Sequence, residues 1–177
     1  MYRKLIIALA TAASLAVAGC GSSSDQRAGN GADRAFVAEM VPHHTSAVDM
    51  AKVGQQRGQS QFVKQLSADI IRTQNEEIST MKKEDSKLAD DGIKRGDLGV
   101  AMGDMGMDMN TDDLKTASPF DVAFVKMMTP HHVGAVTMAK AELAKGKDPE
   151  LKKLAQSIIA AQQKEIAEMS AFLKQAN

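Results

Sequence analysis

This chain has one cysteine, no tryptophan, one tyrosine, four prolines and four histidines among its 177 residues. A single cysteine excludes a disulfide within the chain and any site built from several thiolates. With five phenylalanines as the other aromatics, the core must rely on aliphatic side chains and on methionine, of which there are 12. An excess of one charge is also missing. Lys and Arg number 22 against 22 Asp and Glu, which leaves no basic face for nucleic acid. The β-branched residues form no alternating runs, so no sheet is predicted. The abundant Ala, Met, Leu, Ile, Lys, Gln and Glu favour helix.

The N-terminus reads as a targeting segment. Arg3 and Lys4 form a positive start, and Leu5 to Ala18 form an apolar stretch too short for a comfortable membrane span. Val17-Ala18-Gly19-Cys20 resembles the lipobox of bacterial lipoproteins, in which the cysteine becomes the lipid-modified first residue. The expectation is a signal peptide over residues 1–19, lipidation at Cys20, and an exported protein held to a membrane by that anchor. Removing residues 1–19 leaves 20 basic residues against 22 acidic ones. Residues 20–32, rich in Gly and Ser, read as a flexible tether.

All four histidines lie in two His-His pairs, and the pairs lie in a repeat. Residues 36–52 and 124–140 align at an offset of 88 with no gap and are identical at 11 of 17 positions. The offset continues downstream: Leu66, Ile70, Ile71, Gln74, Glu77, Ile78 and Met81 match Leu154, Ile158, Ile159, Gln162, Glu165, Ile166 and Met169. Identity at one offset across two helical stretches indicates a duplicated helical hairpin. Two such hairpins bury each other's apolar faces as a four-helix bundle over residues 33–177, with halves at about 33–91 and 117–177.

Four helices are predicted. The first runs from about Asp33 to Gln56, ahead of Gly58. The second runs from Ser60, a plausible cap, to about Asp91. The third opens at Ser118-Pro119-Phe120-Asp121, with Ser118 as cap and Pro119 at the first helical position, and ends near Lys145. The fourth opens at Asp148-Pro149-Glu150 and continues almost to Asn177. The connection over roughly 92–116 must span the bundle or fold over one end.

On the first helix, Phe36, Met40, His43, Ala47, Met50 and Gly54 form one inward stripe at helical spacing. The third helix repeats it with Met128, His131 and Met138. Two such helices face to face offer two histidines and four methionines around one space, with His44 and His132 near its edge. Neutral imidazole and thioether are soft ligands that suit Cu(I) and Ag(I). Read singly, the methionines fit core packing as well as ligation. Pro42 and Pro130 stand inside the predicted helices, where each would free a carbonyl, of Ala38 and Lys126, and re-aim the following histidines.

Gln74, Glu77, Gln162 and Glu165 share a face with apolar neighbours. They read either as acceptors that orient the histidine rings or as a solvated edge. The connection carries Met102, Met105, Met107 and Met109, a density that no helical core face explains. It reads as an auxiliary thioether site, or alternatively as an apolar loop over the bundle.

The pattern Phe-x-x-x-Met-x-Pro-His-His-x-x-Ala-Val-x-Met-Ala, followed by Gln-x-x-Glu-Ile, resembles the bacterial domain of unknown function 305 family over about residues 33–177. That resemblance implies a ferritin-like all-α four-helix bundle in an exported protein, and a part in binding copper or silver. A carboxylate-bridged di-metal oxidase would need Glu-x-x-His, which this chain lacks. The reading is a metal-binding lipoprotein that takes Cu(I), with silver possible, for copper homeostasis or detoxification and without catalysis. A metal-free structural or interaction bundle and a metal-dependent redox enzyme stay open as alternatives. A histidine site also implies that metal affinity falls below about pH 6.

Overall fold

The computed structural model describes residues 29–107 and 112–176. The leader, Cys20, most of the tether and Met109 lie outside the described residues. Five α-helices follow one another: α1 (Gly31–Arg57), α2 (Gln61–Asp90), a single-turn α3 (Asp113–Thr116), α4 (Phe120–Lys145) and α5 (Pro149–Gln175). A short 3-10 turn, Met102–Met105, precedes α3. The described residues contain no strand, and no helix among them is long and apolar enough to cross a membrane.

Helix starts follow side-chain chemistry. Asn30 caps α1, and the Asp33 carboxylate answers with a bond to the Asn30 N–H, so the helix begins two residues before the expected Asp33. Ser60 caps α2 and Asp148 caps α5, with Pro149 in the first turn. The expected Ser118 cap does not form. Pro119 itself takes the cap position in extended conformation with no side-chain cap bond, and helix begins at Phe120. The aspartate expected to complete that cap is engaged elsewhere: Asp121 accepts from the backbone N–H groups of Gln59 and Ser60.

This bond has a counterpart at the other end of the molecule. Asp33, 88 residues earlier, accepts from the N–H groups of Lys147 and Asp148. Each hairpin's first helix therefore clamps the turn of the other hairpin. The clamps fix α1 antiparallel to α4, with the end of α1 at the start of α4. Burial tends to raise the Asp121 carboxyl, but the bonds from Ser60 and Gln59 outweigh it and hold the carboxyl below its ordinary value. Asp121→Ala is expected to cost about 2 kcal/mol in a urea melt, since two backbone donors lose a charged acceptor. Replacement of a merely solvated aspartate would change stability by less than about 0.5 kcal/mol.

The two hairpins, α1–α2 and α4–α5, meet along α1 and α4. The connection after α2 runs the length of that face: Gly96 bonds Gly31 at one end, Met105 reaches His43 midway, and Arg57 reaches the Leu114 and Ala117 carbonyls at the other end. Buried apolar side chains form two separate clusters. One contains Phe36, Met40, Met138 and Ile158. The other contains Met50, Ile70, Phe124 and Met128. The histidine pairs lie between them in sequence on both α1 and α4.

Candidate metal centre

Both helices continue through their prolines, so Pro42 and Pro130 are interior residues rather than helix starts. Immediately after each proline stands a histidine facing the opposite helix. The rings of His43 and His131 meet across the α1–α4 contact with centroids 3.7 Å apart and planes tilted by 37°. His44 and His132 point outward to the second helix of their own hairpin. His44 Nε2 lies 2.9 Å from Glu77 Oε2, and His132 Nε2 lies 2.7 Å from Glu165 Oε2. Six side chains thus form a row across the bundle: Glu77, His44, His43, His131, His132 and Glu165.

Hydrogen-bond partners fix most of the tautomers. A carboxylate cannot donate, so His44 and His132 carry their proton on Nε2 and donate it. His43 Nε2 donates to the Met105 carbonyl oxygen at 2.9 Å. His43 stays neutral, so its Nδ1 is left with a lone pair. All four Nδ1 atoms, and Nε2 of His131, are buried without a hydrogen-bond partner. Five unsatisfied ring nitrogens in one layer are costly unless something else uses them.

Burial first, and the neighbouring imidazoles second, hold His43 down to about 3 and His131 down to about 2. These two rings are neutral in the folded chain at pH 5. The expected fall in metal affinity below pH 6 therefore cannot come from them; the proton competition moves to lower pH. Flat affinity at pH 5 is compatible with a histidine site and does not diagnose an all-methionine one.

The expected residues are brought together in part. His44 and His132 are fully buried, not at an edge. Met40, Met50, Met128 and Met138 are all buried, but they do not surround one space. Met40 and Met138 belong to one apolar cluster, and Met50 and Met128 belong to the other. Antiparallel packing of α1 on α4 causes this split, because it pairs the residue before one histidine with the residue after its mate. Gln74 and Gln162 are buried with their side-chain oxygens unpaired, and each lies one turn from the glutamate that bonds a histidine. In the connection Met105 packs against the core, while Met102 and Met107 are exposed.

Residues 33–173 match the family described as Domain of unknown function (DUF305). The chain belongs to this family. Its fold is similar to the crystal structure of a DUF305 fragment from Deinococcus radiodurans, at 28% identity and TM-score 0.69 over 84% of this chain and 99% of that one. It is also similar to CopM in the Cu(I)-bound form, at 34% identity and TM-score 0.69 over 81% of this chain and 96% of that one. CopM structures exist in Cu(II)-bound and Ag-bound forms as well. A 53-residue stretch is 45% identical to the uncharacterized protein L153 of Acanthamoeba polyphaga mimivirus. The match spans 30% of this chain and 35% of that protein.

Sequence reasoning missed one feature of this DUF305 chain. Glu142 is fully buried beside Asp33 and Asp148, which are equally buried. It occupies the position 88 residues after Gly54, so extending the inward stripe of α4 by one step reaches it. Burial first, and then the closeness and charge of Asp33 with the charge of Asp148, push its carboxyl up to about 9. A buried carboxyl crowded by two others keeps its proton rather than add a further buried charge. Asp33 already accepts from the N–H groups of Asn30, Lys147 and Asp148, so the proton resides on Glu142.

Proposed function

We propose that this chain is an exported, lipid-anchored protein that binds Cu(I), and Ag(I) in its place, at the histidine layer, for copper homeostasis or detoxification. The observation that carries the metal reading is the set of buried ring nitrogens without partners, centred on the 3.7 Å His43–His131 pair. Likeness to CopM, whose structures include copper- and silver-bound forms, supports it. Export and lipidation rest on Val17-Ala18-Gly19-Cys20 and the apolar stretch before it.

The donors fit a soft monovalent cation. His43 and His131 offer neutral nitrogens in a buried layer, and among the described residues the carboxylates of the row, Glu77 and Glu165, bond the outer histidines instead. Among the described residues no three His, Cys, Asp or Glu side chains gather as a metal site. Nitrogen and oxygen donors alone therefore do not complete a site for a hard dication, and His43 and His131 would hold the ion with help from thioethers of Met40, Met50, Met128 or Met138. Bound there, the ion would be stored without redox chemistry being required of the protein. The Met-rich connection would serve as an auxiliary or entry site.

A second reading is a polar layer that specifies helix pairing and takes no metal. The satisfied His44–Glu77 and His132–Glu165 bonds favour it, because a structural network needs such partners. Anaerobic titration of Cu(I) against a chromophoric chelator separates the two, using the chain and variants with His43 and His131 changed to Gln or all four histidines changed to Ala. Tight binding by the parent that collapses in both variants supports the histidine site. At a hundredfold excess over Kd the ion should add about 2.7 kcal/mol of stability, a Tm rise of about 5–10 °C. Binding that survives in the variants assigns the metal to methionines alone. No binding and no Tm shift leaves the metal-free layer.

A further inference from the structure

One of the positions at which the two copies of the repeat differ lies beside the histidine layer. Ser46 of α1 corresponds to Gly134 of α4, one turn from His131. The connection crosses the bundle there. Had Gly134 a Cβ, that atom would collide with the Met105 carbonyl group and the Gly106 nitrogen. Gly106 itself adopts φ +65°, and a Cβ on it would collide with the carbonyl of Pro130. Two glycines on opposite sides of one contact thus let residues 101–107 lie flat against α4. The seating delivers the Met105 carbonyl to His43 Nε2. Away from this contact the strap is lightly held: Met102 is 79% exposed, and a Cβ on Gly103 would meet nothing within 4 Å.

We propose that residues 101–107 are a gate over the His43–His131 pair, seated by Gly134 and latched by the His43–Met105 bond. This rests on the metal reading above. With the gate closed, Met105 occupies the His43 N–H, fixes that ring's tautomer and covers the pair on the face away from α2 and α5. Lifting the strap breaks one hydrogen bond and frees the ring to present either nitrogen. A rival way in exists on the opposite face. A groove of about 740 Å³ between α2 and α5, floored by Phe62, Leu66 and Phe172, extends to Glu165. An ion entering there would pass Glu165 and His132 and never meet the strap.

The test compares Gly134→Ala and Gly106→Ala, which unseat the strap from its two sides, with Gly103→Ala, which alters the same strap in open space. Long-range 1H–15N spectra of the metal-free full chain read the His43 tautomer. Stopped-flow mixing with Ag(I) reads the rate of uptake. In the wild type and in G103A, His43 should be held as the Nε2–H form. In G134A and G106A the second tautomer should appear, and silver uptake should accelerate about tenfold, the equivalent of one net hydrogen bond. Retention of the pure Nε2–H form in both unseated variants overturns the seating. A mixed tautomer with unchanged uptake overturns the gate and assigns entry to the groove. Absence of silver uptake in every chain overturns the metal reading, and the gate with it.

Discussion

Lowering the pH from 7 to 4 is expected to remove about 6 kcal/mol more folding stability from the parent than from a variant with both His43 and His131 changed to Gln. The folded values of these rings, about 3 and about 2, lie below the ordinary 6.5. The unfolded chain therefore binds two protons as pH falls through 6.5 while the folded chain binds none. Stability is present above about pH 6.5 and is lost as pH falls towards the folded values. Each ring contributes a slope of about 1.4 kcal/mol per pH unit within that window. Two rings over about two and a half units amount to about 6 kcal/mol, a large part of the about 5–15 kcal/mol that holds a domain folded. Urea melts at half-unit steps would measure the slope. Glutamine keeps a polar group at each position and does not titrate, so an equally steep slope in the double variant would show that the acid sensitivity lies elsewhere. Saturation with Ag(I) should raise the parent's stability by a constant amount across this window and leave the slope unchanged, because the folded rings hold no proton there to compete with the ion.

That result ties the chemistry of the layer to the cost of folding around it. Most of the architecture was legible before any coordinates, because duplication writes the same stripe twice and each copy checks the other. Helix periodicity placed His43 and His131 on facing stripes, and the Gln-x-x-Glu pattern left Glu77 and Glu165 open between ring acceptors and a solvated edge, which their bonds to His44 and His132 resolve. What could not be read was the relative direction of α1 and α4. The stripe from Met40 through His43 to Met50 looks the same whether its partner runs parallel or antiparallel. Only the Asp33 and Asp121 clamps, whose partners are turns some 60 to 115 residues distant, decide it. Antiparallel packing then separates the methionines into two clusters and leaves the histidines alone in the layer between. The carboxylate half of the expected Ser118–Asp121 capping pair is lost for a similar reason. A local capping rule assumed that Asp121 was free to serve its own helix, and a tertiary partner took it.

Symmetry also shows where the two halves differ on purpose or by drift. The clamps at Asp33 and Asp121 are equivalent, as are the turn glycines Gly58 and Gly146. Yet the interior next to them holds Gly54 in one half and Glu142 in the other. At Gly54 the space goes to Ser67 and Phe124, which a Cβ would strike. At Glu142 the space is filled by a carboxyl lying against Gly146. One end of the bundle is therefore apolar and tight, and the other carries a buried acid whose protonation folding must maintain.

Glu142→Gln is expected to stabilise the chain at pH 8 by about 2–4 kcal/mol, and to leave it nearly unchanged at pH 4. The sign follows from the direction of the shift. The carboxyl's folded value, about 9, lies above its ordinary 4.5, so between these limits the folded chain retains a proton that the unfolded chain has released. Below about pH 4.5 both states hold the proton and nothing is lost; as pH rises towards 9 the folded state becomes progressively more costly. Glutamine is close in volume, carries a donor for Asp33 and cannot ionise, so it removes the alkaline loss without opening a cavity. In a chain of this size the gain corresponds to a Tm rise of about 5–10 °C at pH 8. Glu142→Ala should fail to match it, since the cavity and the lost donor would offset the charge removed. Calorimetric melts of the three proteins at pH 4, 6 and 8 decide the matter. Parallel Tm curves for the parent and E142Q would mean that Glu142 ionises in the folded chain as readily as in the unfolded one, and that Asp33 does not share its proton.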